Sequence, residues 1–509
     1  MIKLAEIFSD GAVLQRNKEM RIFGECDENV TVEFDGVSVS AKCENGKFYA
    51  VLPSHEAGVG FTLTVSNSKE KVEVKNISVG EVFIAAGQSN MEMPLGATDG
   101  AEDELEHCEN ENISFYSIPP RFVKGKPVDV FRFQFMDCSD PTWKKCTYDT
   151  AKDFSAIGYY VAKKMQKALG VPVGVIGCNW GSRIIEAFIP TWAFDRDKSL
   201  VEYKNNYEAS LLQGTQEEYD KSYEDYEAFV KELKETFPNP LDVSYGNASF
   251  AGLFWMPTFR KAGFPSPKGT YSADRPGHIF HTMLEDVTPY SVKFVLWYQG
   301  EYAPGGHYYE KYGVLVNSWR EAFKQSDISF YAMELAPYGE GTGVTAPETD
   351  AHYAQIRMDQ RKATLDYDNC HLITTMGLGD INNIHPTRKR ELAYRTARSV
   401  LYHSYNVGEK SENPYAVSAK FEEDCVRVKF ANDEKLLLVG LSIADMYLSA
   451  DGENFVLSPA RLENNELVVW NDDIKNPCEI RYCQSIYYGG QDIFNSAALP
   501  ASPFKFVKE

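Results

Sequence analysis

The sequence predicts an α/β protein: a parallel sheet flanked by helices, set between N- and C-terminal β-sandwich-like domains. Three observations carry this reading. Buried strand-like runs at 77–86, 171–177, 293–298 and 328–335 alternate with an amphipathic helical pattern at 156–169 and a closing helix at 388–402. Short β-rich runs occupy residues 1–76, and a second set occupies 406–509. The length of 509 residues suits about three domains.

The first domain, 1–76, is read from Val30-Thr31-Val32-Glu33-Phe34, Phe48 to Leu52 and Phe61 to Val65, separated by clusters such as Glu44-Asn45-Gly46. The middle domain, 77–405, opens with ISVGEVFIAA, a buried strand that runs into Gly87. Ligands of such sheets bind beyond the carboxyl ends of the strands, so the chemistry is expected there. A helical insertion at about 195–285 interrupts the alternation. Within it, Tyr203, Tyr207, Tyr219, Tyr223 and Tyr226 recur at helical spacing. They either pack a helix pair onto the body or lend rings to a substrate cleft. The last domain, 406–509, alternates again at Cys425 to Phe430, Leu467 to Trp470 and Glu479 to Tyr482.

Composition narrows the function. Lys plus Arg number 52 and Asp plus Glu 73, a formal charge of −21 that repels phosphate backbones and anionic lipid heads. Neither a nucleic acid nor a membrane is an expected partner. There is no run of about 18 apolar residues to span a bilayer. The opening lacks a signal-peptide core, so the expected location is the cytoplasm unless a leader has been removed. None of the ten cysteines forms a CxxC, and most are expected to be reduced. Aromatic residues make up 13%, enough to leave flat rings over for sugars once the core is packed.

The strand ending at Ala86 leads into Gly87-Gln88-Ser89-Asn90-Met91. A serine on a tight turn at a strand end is well placed as a nucleophile, and a following helix would aim N–H groups at an oxyanion. The plainer reading is a serine capping a helix. Position 91 is Met, so this is not a GxSxG elbow. The base candidate is His385 in Gly379-Asp380-Ile381-Asn382-Asn383-Ile384-His385-Pro386, on a loop before the closing helix. Asp380 could orient its imidazole if the loop folds back.

Taken together, GQSNM, Trp297-Tyr298-Gln299-Gly300-Glu301 and Ile384-His385-Pro386 resemble the sialate O-acetylesterase family of SGNH-type hydrolases. Phe8-Ser9-Asp10-Gly11-Ala12-Val13-Leu14-Gln15-Arg16, Val79-Gly80-Glu81-Val82, Ala168 to Gly174 leading to Trp180-Gly181, and Leu499 to Phe504 extend the likeness along nearly the whole chain. The resemblance implies an SGNH-like central domain and hydrolysis of an O-acetyl ester on a sugar, with no metal or cofactor. Ser89 would attack the acetyl carbonyl and His385 would shuttle the proton. Oxyanion donors would map to Ser89, Gly181 and Gln299.

The chain departs from the family at the acid. Positions 382 and 383, where relatives carry Asp, are both Asn. Asp380, Glu301 or an acid-free Ser–His dyad remain. Gly181-Ser182-Arg183 replaces the commoner Gly-Gly-Thr, and Arg183 either holds a substrate carboxylate or pairs with Glu186. The loop Tyr302-Ala303-Pro304-Gly305-Gly306 is longer than usual, and His307, Tyr308 and Tyr309 beyond it are candidates to line the cleft. The expected partner is an acetylated mono- or oligosaccharide, sialate or plant-type. The oligomeric state is left open. The competing class is a carbohydrate-binding protein without catalysis.

Overall fold

The computed structural model describes residues 1–124, 141–236, 266–339, 351–432, 434–440, 443–485, 487–488 and 492–508. Two compact units divide the chain: Met1–Tyr302 with Glu310–Phe330, and Ala303–Tyr309 with Tyr331–Glu509.

The first unit is organised by one 17-residue strand, Lys71–Gly87. Its first half pairs antiparallel with Gly58–Ser66, which pairs in turn with Val30–Phe34. Its second half pairs parallel with Val173–Asn179 on one side and Phe294–Tyr298 on the other. The domain boundary expected near 76 therefore falls inside a strand that serves both the N-terminal β layer and the parallel sheet. Asn110–Ser117 extends the parallel set, and Lys144–Cys146 closes that edge antiparallel. Val173–Asn179 and Phe294–Tyr298 are buried at every residue, as strands covered on both faces must be. Lys47–Leu52 instead alternates exposed and buried, the mark of a half-buried sheet.

The helix expected at 156–169 spans Ala156–Leu169. Ser155 Oγ caps it by accepting the Gly158 N–H at 3.2 Å, and Gly170 ends it at φ +67°. The insertion is a helix pair, Lys198–Leu211 and Gln216–Thr236, and residues 237–265 of it lie outside the described residues. Its tyrosines are largely structural. Tyr203 donates to the Asp274 carbonyl, Tyr207 to Gly269 O at 2.8 Å and Tyr219 to Leu211 O at 3.1 Å.

Ser329–Met333 and Cys370–Ile373 are neighbouring strands, the first beginning in the first unit and continuing from Tyr331 in the second, and the closing helix of the second unit is Lys389–Tyr405. The C-terminal residues form two four-stranded antiparallel sheets and a two-stranded one, Leu437–Leu438 with Ile493–Phe494. Val426, Val428 and Leu467 from one share a core with Leu448, Ile480 and Phe504 from the other. On Cys425–Ala431 buried residues alternate with partly or fully exposed ones, which turns one of its faces to this shared core.

Cys26 and Cys43 form a disulfide within the N-terminal layer, an exception to the expected reduced state. The other cysteines among the described residues are not in a disulfide. No helix among the described residues is long and apolar enough to cross a membrane.

Candidate active site

Three strand ends lie level. Gly87 is in register with Asn179 on one side and Tyr298 on the other. Ser89, Gly181 and Gln299 each follow within a few residues, so the parallel sheet brings these three together at its carboxyl edge. Gly87 permits the turn. Its φ is +142°, and a Cβ there would lie 2.1 Å from the Tyr298 carbonyl oxygen. Gln88 N–H donates to that same oxygen at 3.0 Å, and Trp180 N–H donates to Gly87 O at 3.0 Å. Ser89 is only 4% exposed.

The helix after Gly87 is a single turn, Ser89–Glu92. Met91 and Glu92 N–H both return to Gln88 O, at 2.9 and 3.0 Å. The helix-dipole contribution expected at an oxyanion is therefore small, because aligned peptides must accumulate over several turns. Gly181 N–H donates to Glu92 Oε2 at 2.7 Å. Gln299 is fully buried, and its amide nitrogen donates to Tyr302 O at 2.9 Å and Arg183 O at 3.2 Å. Both of these expected oxyanion donors already hold protein acceptors.

Glu301 accepts a hydrogen bond from Asn90, the residue next to Ser89. Arg183 pairs with Asp274 at 2.9 Å and also donates to Gly181 O at 3.1 Å. Glu186, the partner weighed for Arg183, instead forms a buried ion pair with Lys311 at 2.7 Å. Ser182 stands at φ +57°, a region glycine enters without the cost of a Cβ.

His385 and Asp380 belong to the second unit, on the loop between Cys370–Ile373 and Lys389–Tyr405. Burial, with the charge of Lys389 adding to it, pushes the imidazole down to about 4, so it is neutral and able to accept a proton at pH 7. Asp380 Oδ1 accepts Asn382 N–H at 2.7 Å and Asn383 N–H at 3.0 Å, and Asn383 Oδ1 accepts His385 N–H at 2.9 Å. These are loop-shaping bonds. Among the described residues, Asp380 makes no hydrogen bond to the His385 ring. Tyr308 is buried, and Tyr309 donates to Asp366 Oδ2 at 3.0 Å with Lys362 over its ring. The described residues hold no group of three or more His, Cys, Asp and Glu side chains suited to a metal.

The described residues define the class as an α/β protein, with a candidate nucleophile, a serine on a glycine turn, at the sheet edge where such folds bind ligands. No family model matches the chain. It is 20% identical to the sialate O-acetylesterase of Pongo abelii, over 91% of this chain and 83% of that protein. The Rattus norvegicus enzyme of that name matches at 20% over 91% and 85%. A solved carbohydrate acetylesterase from Xanthomonas citri shares the fold, with a TM-score of 0.77 over 99% of both chains at 22% identity. The chain is thus a relative of the sialate O-acetylesterases across nearly its whole length, as its motifs suggested.

Proposed function

We propose that this protein is a carbohydrate O-acetylesterase that works through a serine nucleophile in an SGNH-like central domain. The observation that carries the reading is Ser89 on the Gly87 turn, flanked at the same sheet edge by Gly181 and Gln299. Ser89 Oγ attacks the acetyl carbonyl while His385 takes its proton and returns it to the departing sugar hydroxyl. Water then releases acetate by the reverse sequence. The oxyanion is received by the amide of Ser89, and Gly181 N–H and the Gln299 side chain join it by releasing Glu92 Oε2 and a main-chain carbonyl, respectively. Each donor contributes roughly 3 kcal/mol to such a transition state.

For the acid we favour Glu301, because Asn90 ties its carboxylate to the nucleophile's turn, whereas Asp380 is engaged by its own loop. Acetate release from 4-nitrophenyl acetate and from acetylated glycans, by wild type and Ser89→Ala, tests the reading. Wild type is expected to turn over, and the folded variant to be inactive. Retained activity in the variant removes Ser89 from its role, and an inactive wild type returns the protein to the carbohydrate-binding class.

A further inference from the structure

A groove of about 770 Å³ lies in the first unit between the insertion and the body. One wall carries Tyr223 and Tyr271, their rings stacked at 4.8 Å and 17°, and Phe122 packs against Tyr223 at 5.9 Å. The groove is joined to the candidate site by two connections. Phe122 meets Trp180 at 5.1 Å, and Trp180 is the residue before Gly181. Residues 269–275, which supply Tyr271 and Arg275 to the groove, are anchored by the Arg183–Asp274 ion pair.

The charge of the lining is informative. Asp220, Glu224, Glu227 and Glu285 face two cations, Lys124 and Arg275. Lys124 is neutralised by Glu285. Arg275 has no carboxylate partner among the described residues. Its guanidinium donates to Ser272 O at 2.9 Å and to the Phe122 carbonyl. Arg183, the residue weighed for holding a substrate carboxylate, is already paired with Asp274.

We propose that this groove is a glycan subsite for uncharged sugar units, so that the substrate is a neutral acetylated oligosaccharide rather than a free acidic monosaccharide. The inference rests on the esterase reading above for the acetyl group, but the groove binds sugar independently of it. Sugar rings present C–H faces to aromatic walls, and their hydroxyls both donate and accept. Carboxylates on one side and the Arg275 guanidinium, which has no carboxylate partner among the described residues, on the other meet both needs. The excess of negative charge repels a carboxylated sugar.

The test has two arms. In the first, acetate release is compared on acetylated xylo-oligosaccharides, acetylated xylose, O-acetylated sialic acid and 4-nitrophenyl acetate. The oligosaccharide is expected to exceed the two monosaccharides in kcat/KM by at least about tenfold. Tyr271→Ala should lower the ratio of oligosaccharide to 4-nitrophenyl acetate kcat/KM about tenfold, through KM, while Tyr271→Phe keeps it within about threefold. In the second arm, calorimetry measures binding of unacetylated xylo- and cello-oligosaccharides to Ser89→Ala. Binding is expected, and adding Tyr271→Ala should weaken it about tenfold. A preference for O-acetylated sialic acid, or a ratio and affinity indifferent to Tyr271→Ala, overturns the proposal. If no ester is hydrolysed, the esterase reading fails, and the binding arm alone decides the groove.

Discussion

Replacing Asp380 in two ways separates a loop cap from a catalytic acid. Asp380 Oδ1 accepts two main-chain amides, at 2.7 and 3.0 Å, in the turn that carries His385. A net contribution of about 1 kcal/mol per bond makes the cap worth about 2 kcal/mol to the ordered loop. Asp380→Ala removes both bonds. A 2 kcal/mol loss of loop order lowers the productive fraction by up to about 30-fold, so kcat should fall about 10–30-fold. Tm should fall by only a few degrees in a protein of this size. Asp380→Asn keeps the accepting oxygen and loses only the charge-assisted part of each bond. Its kcat should stay within about fivefold of wild type. The assay is acetate release from 4-nitrophenyl acetate, with a thermal melt on the same preparations. A triad carboxylate behaves differently, because an amide in its place cannot stabilise the imidazolium and costs about 10⁴ in kcat. A drop of 10²–10⁴ in Asp380→Asn would refute the cap and restore Asp380 as the acid.

Glu301→Gln should lower kcat by about 10²–10⁴ if Glu301 supplies the negative charge; near-normal turnover in both carboxylate variants would leave a Ser–His dyad. Burial and Lys389 hold His385 at about 4, and only its neutral form accepts the serine proton, so kcat/KM should be flat at neutral pH and fall as pH drops through the folded value. A carboxylate partner lifts that limb, so Glu301→Gln should move it to lower pH, and an unmoved limb argues against the pairing. Gly87→Ala, with its Cβ 2.1 Å from Tyr298 O, should cost about 3 kcal/mol or more by chemical denaturation; a loss below 1 kcal/mol would mean the turn relaxes freely. The Cys26–Cys43 bond closes a 17-residue separation, worth about 3 kcal/mol, so Cys43→Ser should lower stability by that order, and a melt insensitive to reductant would show the bond is not formed.

What could be read from the sequence, and what could not, follows from the range of the interactions. Val173–Asn179 and Phe294–Tyr298 were legible as strands because two-sided burial demands unbroken apolar runs, and such runs are local. The Ala156–Leu169 helix was legible to its ends because Ser155 and Gly170 announce them. Asn110–Ser117 was missed, since its first three residues are polar and exposed or half-buried, and only its second half is buried in the sheet. Partners failed where nearness in sequence stood in for nearness in space. Glu186 is three residues from Arg183 yet pairs with Lys311, 125 residues away, while Arg183 reaches Asp274, 91 residues away. For Asp380 the structure shows the loop bonds and leaves the acid's role to the substitutions above. Its closeness to His385 suggested an imidazole contact, but an aspartate two or three residues before exposed amides is first of all a turn former. Glu301, distant from both Ser89 and His385 in sequence, is tied by Asn90 to the turn where the nucleophile stands. That is the physical ground for weighing Glu301 above its nearer rival.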